Sequence, residues 1–318
     1  MEMFQLKVTA IREVAAGIHE YTLSDPEGGD LPAFTPGAHI HVAVPSGGTR
    51  QYSLLNDPAE RSAYRIAIKL EAEGKGGSTS FIAATAAGDS VEVSAPVNDF
   101  ELRGDGERIV LIAGGIGITP ILSMAQYLLR TAAKPFEMIY LTREPGQTAY
   151  LDEVVNGPLA PHVTLHHDMG DPANSLDLAA LLAEQNGAVL YCCGPTGLLH
   201  AVRAASQHWE RGSVRFEDFG TTPAAPAEDE DGFQVRLEGG DQSYWVPEDK
   251  SILDVLNEAG LDMPSSCESG TCGTCRMRLV EGEADHRDLV LFDDEMDDSI
   301  IICCSRAKSR EITIGFPA

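Results

Sequence analysis

Cys267, Cys272 and Cys275 stand at C-x4-C-x2-C spacing, and Cys303 and Cys304 sit side by side downstream. Four thiolates, three of them on one tight loop, are the ligand arrangement of a plant-type [2Fe–2S] cluster. Gly270 and Gly273 within that loop let the backbone turn closely and aim N–H groups at sulfur, which tunes the potential. Zinc also accepts four thiolates, but its sites usually pair two C-x2-C knuckles, and the first spacing here is four. Only one of the adjacent pair is needed as a ligand; a buried small hydrophobe is the ordinary fate of the other. The other two of the seven cysteines, Cys192 and Cys193, are adjacent, and none precedes them. Clustering of this kind points to metal or redox chemistry rather than to disulfides.

Two further groups of residues suggest anionic ligands. Arg50-Gln51-Tyr52-Ser53 follows a strand-like run and resembles the R-x-Y-S flavin motif of ferredoxin-reductase-like barrels. An Arg there neutralises a flavin phosphate, a Tyr ring packs on the isoalloxazine, and a Ser hydroxyl bonds the ring edge near N5. Lys69 comes next, and then Gly76-Gly77-Ser78 ahead of a helix, whose free N–H groups make an anion site. The second group is Gly114-Gly115-Ile116-Gly117-Ile118-Thr119-Pro120. It is not a G-x-G-x-x-G fingerprint, and Thr142-Arg143 rather than an acid ends the next strand, so a dehydrogenase-type dinucleotide fold is disfavoured. The run resembles the pyridine-nucleotide loop of ferredoxin-reductase-like proteins, whose companion turn is present as Cys193-Gly194-Pro195. That resemblance implies that Cys193 lies near the nicotinamide and that Phe219 packs on the flavin and yields to the nicotinamide. Arg143 has no Lys/Arg cluster beside it, and NADH rather than NADPH is expected.

The elements that must position these residues fall into three regions. Residues 1–103 alternate apolar and polar residues in short runs punctuated by Gly and Pro, which predicts an antiparallel β-barrel. Residues 104–220 predict an α/β domain with a parallel sheet, beginning with the doubly buried run Arg108–Ala113. Helices are expected over Pro120–Leu129, Leu176–Glu184 and Leu198–His208, and strands over Phe136–Leu141, His162–His166, Val189–Cys193 and Val214–Phe219. Residues 221–232, rich in Pro, Ala and acids, read as a linker. Residues 233–318 are long enough to fold alone.

The chain has 318 residues, 43% hydrophobic and 23% charged, ordinary values for a globular protein. Net charge is −26, which excludes nucleic acid as a partner, since phosphate binding needs clustered Lys and Arg. No apolar run reaches the roughly 18 residues of a membrane span, and the N-terminus lacks signal-peptide features, so a cytoplasmic protein is expected.

The C-terminal segment is similar to the ferredoxin domain of the phthalate dioxygenase reductase family. Cys303-Cys304-Ser305-Arg306-Ala307 matches that family's Cys-x-Ser-Arg-Ala pattern, and Glu281-Gly282-Glu283 and Asp285-His286-Arg287-Asp288 also resemble it. The likeness implies Cys303 as fourth ligand, a β-grasp ferredoxin domain, FMN as the flavin, and NADH as the hydride donor. It covers nearly the whole chain in the order flavin barrel, nucleotide domain, ferredoxin. Electrons are then expected to leave one at a time for a terminal oxygenase of the Rieske type, with Ser53, Cys193 and Phe219 at the site of transfer. A stand-alone flavin reductase or oxidase, and a redox sensor without turnover, are the alternatives. His286 has no second His at matching spacing and is expected to pack or face solvent. A monomer is expected.

Overall fold

A computed structural model describes residues 2–71, 76–219, 232–240 and 242–317. Two compact units divide it, Met1–Glu217 and Asp218–Ala318. The expected linker lies outside the described residues except for Gly232.

The first unit begins with β1 (Met3–Ala15), β2 (Ile18–Ser24), β3 (His39–Ala43), β4 (Thr49–Ser53), β5 (Tyr64–Lys69), α1 (Gly77–Ala84) and β6 (Ser90–Ser94). The strands pair antiparallel in the order β4-β3-β6-β1-β2-β5, and the end strands β4 and β5 approach one another. Alternation places Ile40, Val42, Ile66, Ile68, Val91 and Val93 on the inner face, where they form one core. Phe81 of α1 closes that core, meeting Tyr21 edge to face with centroids 5.1 Å apart.

The chain continues through β7 (Arg108–Gly114), α2 (Ile118–Thr131), β8 (Phe136–Thr142), α3 (Leu151–Asn156), β9 (Val163–His167), α4 (Leu178–Leu181), β10 (Ala188–Cys193), α5 (Thr196–Ala205) and β11 (Val214–Glu217). These strands form a parallel sheet in the order β11-β10-β7-β8-β9. From β7 the chain builds outward to β9 and then returns to the other side for β10. The reversal opens a crevice at the C-terminal ends of β7 and β10, where ligands of open α/β sheets bind.

Two elements differ from expectation. The helix expected over Leu176–Glu184 shrinks to four residues. Asp177 caps it by accepting from Ala180 N, and the Leu182 carbonyl is taken by Trp209 Nε1 at 2.9 Å, so it cannot continue the ladder. Helix α3 is too short to show periodicity in the sequence.

Barrel and α/β domain share one apolar core. Ile18, Leu55, Ala67 and Phe100 from the barrel pack with Leu111, Ile121, Leu122 and Tyr191. Ser123 Oγ donates to Asn56 O at 2.9 Å, and Gln126 Nε2 to Leu55 O at 3.3 Å. Across the same boundary Arg12 bridges Glu20 (3.3 Å) and Glu153 (2.8 Å), while Arg65 donates to Glu20 at 2.8 Å.

The second unit comprises β12 (Phe233–Leu237), β13 (Ser243–Val246), α6 (Ile252–Glu258), β14 (Arg276–Glu281), β15 (Ala284–Asp285), β16 (Ser299–Ile301), β17 (Arg306–Ala307) and β18 (Glu311–Gly315). Its main sheet runs β13-β12-β18-β14-β16, with β12 and β18 parallel and the other pairs antiparallel. One helix on a mixed sheet closed by its first and last strands is the expected β-grasp. A reciprocal Ser251–Asp254 capping box starts α6, whose Ile252, Leu253 and Leu256 enter the core. Among the described residues no helix is long and apolar enough to cross a membrane.

Burial raises the Glu20 carboxyl pKa, but the hydrogen bond and charge of Arg65 outweigh burial and set it below the ordinary 4.5. Its stabilising contribution is therefore complete above about pH 4.5 and is lost as pH falls through the lower folded-state value. E20Q should lower stability at pH 7 by about 1.5–3 kcal/mol, the range for hydrogen bonds to charged groups. Thermal unfolding of both proteins from pH 7 to pH 3 checks this, since the gap between them should narrow in acid.

Candidate functional site

Strand β4 carries Arg50, Tyr52 and Ser53 to the edge of the barrel beside α1. The Arg50 guanidinium lies directly over Gly77: a Cβ at position 77 would be 2.7 Å from Arg50 Nε. Helix α1 starts from Gly76 in a left-handed conformation and has no side-chain cap. Its first-turn N–H groups thus converge with a guanidinium, a cradle for a phosphate. Tyr52 packs on the Phe81 side of the core, centroids 6.4 Å apart. Burial pushes its phenol up to about 12 against the opposing charge of Arg50, so it stays neutral. Ser53 Oγ is buried and has no hydrogen-bond partner among the described residues. A buried hydroxyl left unmatched costs about 1–3 kcal/mol, and the ring edge of a flavin would satisfy it. These residues fit a flavin phosphate at one end and its ring at the other.

Other residues expected here are engaged locally. Lys69 Nζ pairs with Glu71 at 2.6 Å, and Ser78 Oγ accepts from Glu71 N at 3.1 Å. Asn56, which sequence reasoning passed over, is fully buried; its side chain bonds Glu60 O, Ala63 O and Arg65 N. It fixes the loop after Ser53. A single Asn in a loop carries no pattern that would have revealed it.

At the crevice of the parallel sheet, Gly114–Gly117 follows β7 and Cys193-Gly194-Pro195 follows β10, with Ala113 and Cys193 in register. A Cβ on Gly117 would lie 2.2 Å from Cys193 O, and one on Gly114 would be 2.6 Å from Leu198 Cδ2. The two turns therefore touch backbone to backbone, and no larger residue fits between them. Thr119 Oγ1 donates to Ile116 O at 3.2 Å, and Pro120 sits in the first turn of α2, where its missing N–H costs nothing. Tyr140, fully buried on β8, donates to Gly115 O at 3.2 Å and steadies the turn from below.

Cys193 is fully buried and its thiol donates to Glu217 Oε2 at 3.9 Å. Glu217 ends β11 next to the crevice, and no local motif marks it. Cys192, one residue earlier, is fully buried, and burial pushes its thiol up. Thr142 spends its hydroxyl on Thr148 Oγ1 at 2.7 Å, while Arg143 is exposed at the end of β8. Phe219 stands two residues past β11 and is 37% exposed.

In the second unit the loop before β14 carries three thiols, and the turn after β16 carries two. They associate in pairs. Cys267 and Cys272 share a hydrogen bond, as do Cys275 and Cys303, and the charge of Cys267 reaches both members of the second pair. The thiol of Cys272, with donors from Ser269 and Thr271, holds Cys267 down against burial and is itself raised in exchange. Among the described residues no three His, Cys, Asp or Glu side chains converge as a single metal ion needs. The four thiols would together supply the donor set of a [2Fe–2S] cluster. Cys304 adjoins the second pair through Cys303.

The loop is held from behind. Gly270 has φ +77° and its missing Cβ would meet Cys304 Sγ at 2.6 Å. Gly270 O accepts from Leu289 N at 3.0 Å, and buried Asp288 accepts from Val290 N and Leu291 N. His286 Nδ1 lies 3.8 Å from Asp288 Oδ2 and belongs to this packing. Arg306, buried over the Phe233 ring, donates to Lys250 O and Pro247 O, so the Ser-Arg-Ala turn is tied to the start of α6.

Three family models match in sequence order: an oxidoreductase FAD-binding domain over 5–102, a ferric reductase NAD binding domain over 106–162, and a 2Fe-2S iron-sulfur cluster binding domain over 235–308. The chain is 46% identical to phthalate dioxygenase reductase of Burkholderia cepacia over 98% of this chain and 96% of that one. It is 36% identical to the carnitine monooxygenase reductase subunit of Escherichia coli K12 over 98% of each. A solved phthalate dioxygenase reductase, described as a modular structure for electron transfer from pyridine nucleotides to [2Fe–2S], superposes with a TM-score of 0.71 at 44% identity, covering 99% of this chain and 98% of that one.

Two substitutions test this geometry. G117A should raise the KM for the reduced nucleotide at least about tenfold, a loss of about 1.4 kcal/mol in binding, because the two turns must part; steady-state kinetics read it. C275S should abolish the [2Fe–2S] EPR signal after dithionite and lower iron per chain, with flavin content unchanged.

Proposed function

The chain belongs to the phthalate dioxygenase reductase family, and from that premise we propose that it is the NADH-dependent reductase component of a Rieske-type non-haem iron oxygenase, a dioxygenase or demethylase system. The observation that carries this reading is the order of the three modules, matched without a large gap over 98% of the chain. We assign residues 1–103 to FMN, 104–220 to NADH and 233–318 to the cluster, joined through 221–232. When bound, FMN takes two electrons from NADH as hydride and releases them singly, and the [2Fe–2S] cluster carries one at a time to the acceptor.

The chain's own residues position these groups. Arg50 and the first-turn amides of α1 meet the flavin phosphate, Lys69 adds positive charge nearby, and Tyr52 and Ser53 meet the ring. Gly114, Gly115, Gly117 and Thr119 bring backbone N–H groups to the dinucleotide at the start of α2, which Pro120 rigidifies, and Gly194 and Pro195 close the other wall. Cys193 faces the nicotinamide with Glu217 behind its thiol. Thr142 and Arg143 border the adenosine end, and Phe219 covers the flavin until the nicotinamide displaces it. Cys267, Cys272, Cys275 and Cys303 hold the cluster. No proton need be moved by a buried acid or base in this scheme; position and potential do the work.

Residues 233–318 hold 18 Asp/Glu and 8 Lys/Arg, a net of −10. Asp293, Asp294, Asp297 and Asp298 are exposed around the entry to β16. Such a face suits a basic docking surface on the oxygenase, and the protein is read as a cytoplasmic monomer that meets its acceptor by diffusion.

A self-contained flavin reductase differs in one respect: it does not need the cluster. C303S should therefore keep NADH oxidation with ferricyanide but lose electron delivery to a one-electron protein acceptor; full delivery would favour the self-contained reading. Reduction of cytochrome c, a basic acceptor, should also slow as salt rises, and stopped-flow rates with NADH should exceed those with NADPH.

A further inference from the structure

Arg12 reaches from the barrel across to the α/β domain, and no part of the electron path uses it. Resting on the reading of residues 104–220 as the NADH domain, we propose that Arg12 is a positioning residue through which the barrel holds residues 144–153, and with them the site for the adenosine half of the nucleotide.

The anchor on the barrel side is fixed. Glu20, directly across from Arg12 in the β1–β2 ladder, is 5% exposed. Arg65 grips it through two bonds, Nη2 to Oε2 at 2.8 Å and Nε to Oε1 at 3.3 Å. Arg12 therefore meets an acceptor that is already ordered, which lowers the entropic cost of the contact. Its guanidinium then crosses the boundary, to Glu153 of α3 at 2.8 Å and over the Tyr150 ring at 5.7 Å from the centroid. In the turn between β1 and β2, Ala16 N donates to Gly146 O at 3.1 Å and ties the same segment a second time.

The segment so held does not hold itself. Helix α3 has six residues, and Tyr150 ahead of it has φ 60°, a left-handed conformation that a bulky residue keeps only under constraint from its surroundings. The same segment also meets the C-terminal end of β8. Thr148 Oγ1 donates to Glu144 O at 3.0 Å and shares a hydrogen bond with Thr142 Oγ1 at 2.7 Å, one residue before Arg143. A shift of α3 away from the barrel is thus passed to Thr142 and Arg143. The glycine turn after β7 and Cys193 at the end of β10 lie on other strands and stay in place. Loss of Arg12 still leaves Glu20 paired with Arg65, so no buried charge is orphaned.

The test is stopped-flow reduction of the flavin in the full-length, FMN-loaded protein, comparing wild type with R12A and E153Q. Two donors are used, NADH and reduced nicotinamide mononucleotide, which lacks the adenosine half. If the untied segment is correctly placed only about a fifth of the time, the Kd for NADH rises about fivefold. R12A and E153Q should both show that rise with the limiting rate of flavin reduction unchanged. The second-order rate with the mononucleotide should stay at the wild-type value, as should flavin content. An unchanged Kd for NADH in both variants would leave Arg12 an ordinary surface ion pair and overturn the proposal. Equal losses with the two donors, a lower limiting rate, or loss of flavin would place the effect in the barrel and overturn it equally. A wild-type flavin that NADH does not reduce would instead sink the nucleotide reading on which the proposal stands.

Discussion

A chain carrying a net charge of −26 has to hold groups that are themselves anionic: a flavin phosphate, a dinucleotide and a thiolate-ligated cluster. Its 23 Lys and Arg do little of this, because many of them are committed to ion pairs such as Arg65–Glu20, Arg130–Asp57 and Arg276–Glu295. In the proposed sites, backbone N–H groups take over the task. They are concentrated at the uncapped start of α1 and in the glycine turn ahead of α2, and around the thiols they come from a loop bent at Gly270. Dipoles of this kind stabilise negative charge without adding mobile cations and without collapsing onto the surrounding acids.

That solution dictates much of the packing. Backbone can approach a ligand only where side chains are absent, so Gly117 lies against Cys193 O and Gly77 against Arg50. Turns so exposed need support from below, and the buried groups of the first unit supply it: Tyr140 under Gly115, Asn56 under the loop after Ser53, and Ser123 across the boundary between the two folds. The common core from Ile18 to Tyr191 makes barrel and parallel sheet one body. The residues proposed to hold flavin and nucleotide thus stand on one frame, as hydride transfer between the two groups requires. The second unit repeats the logic on a smaller scale, with Asp288 and Arg306 tying the turns behind the thiols.

The parts legible in the sequence were those whose chemistry is local. The C-x4-C-x2-C spacing, the doubly buried run of β7 and the glycine turn are each contained in a few consecutive residues, and the structure brings their partners together at the ends of adjacent strands. Resemblance supplied what spacing could not, notably the preference for Cys303 over Cys304 as fourth ligand. What escaped notice depends on contacts between distant segments. Glu217 acquires meaning only because β11 pairs with β10. Helix α4 was overestimated because Trp209, 27 residues later, takes the carbonyl that would have extended it.

The central claim is an internal path from nicotinamide through flavin to a one-electron cluster within a single chain. Anaerobic titration with NADH, followed by absorbance and low-temperature EPR on the same sample, tests it most directly. The account predicts loss of flavin absorbance together with the appearance of a reduced [2Fe–2S] signal. Flavin bleaching with no cluster signal, under conditions where dithionite does produce one, would contradict it.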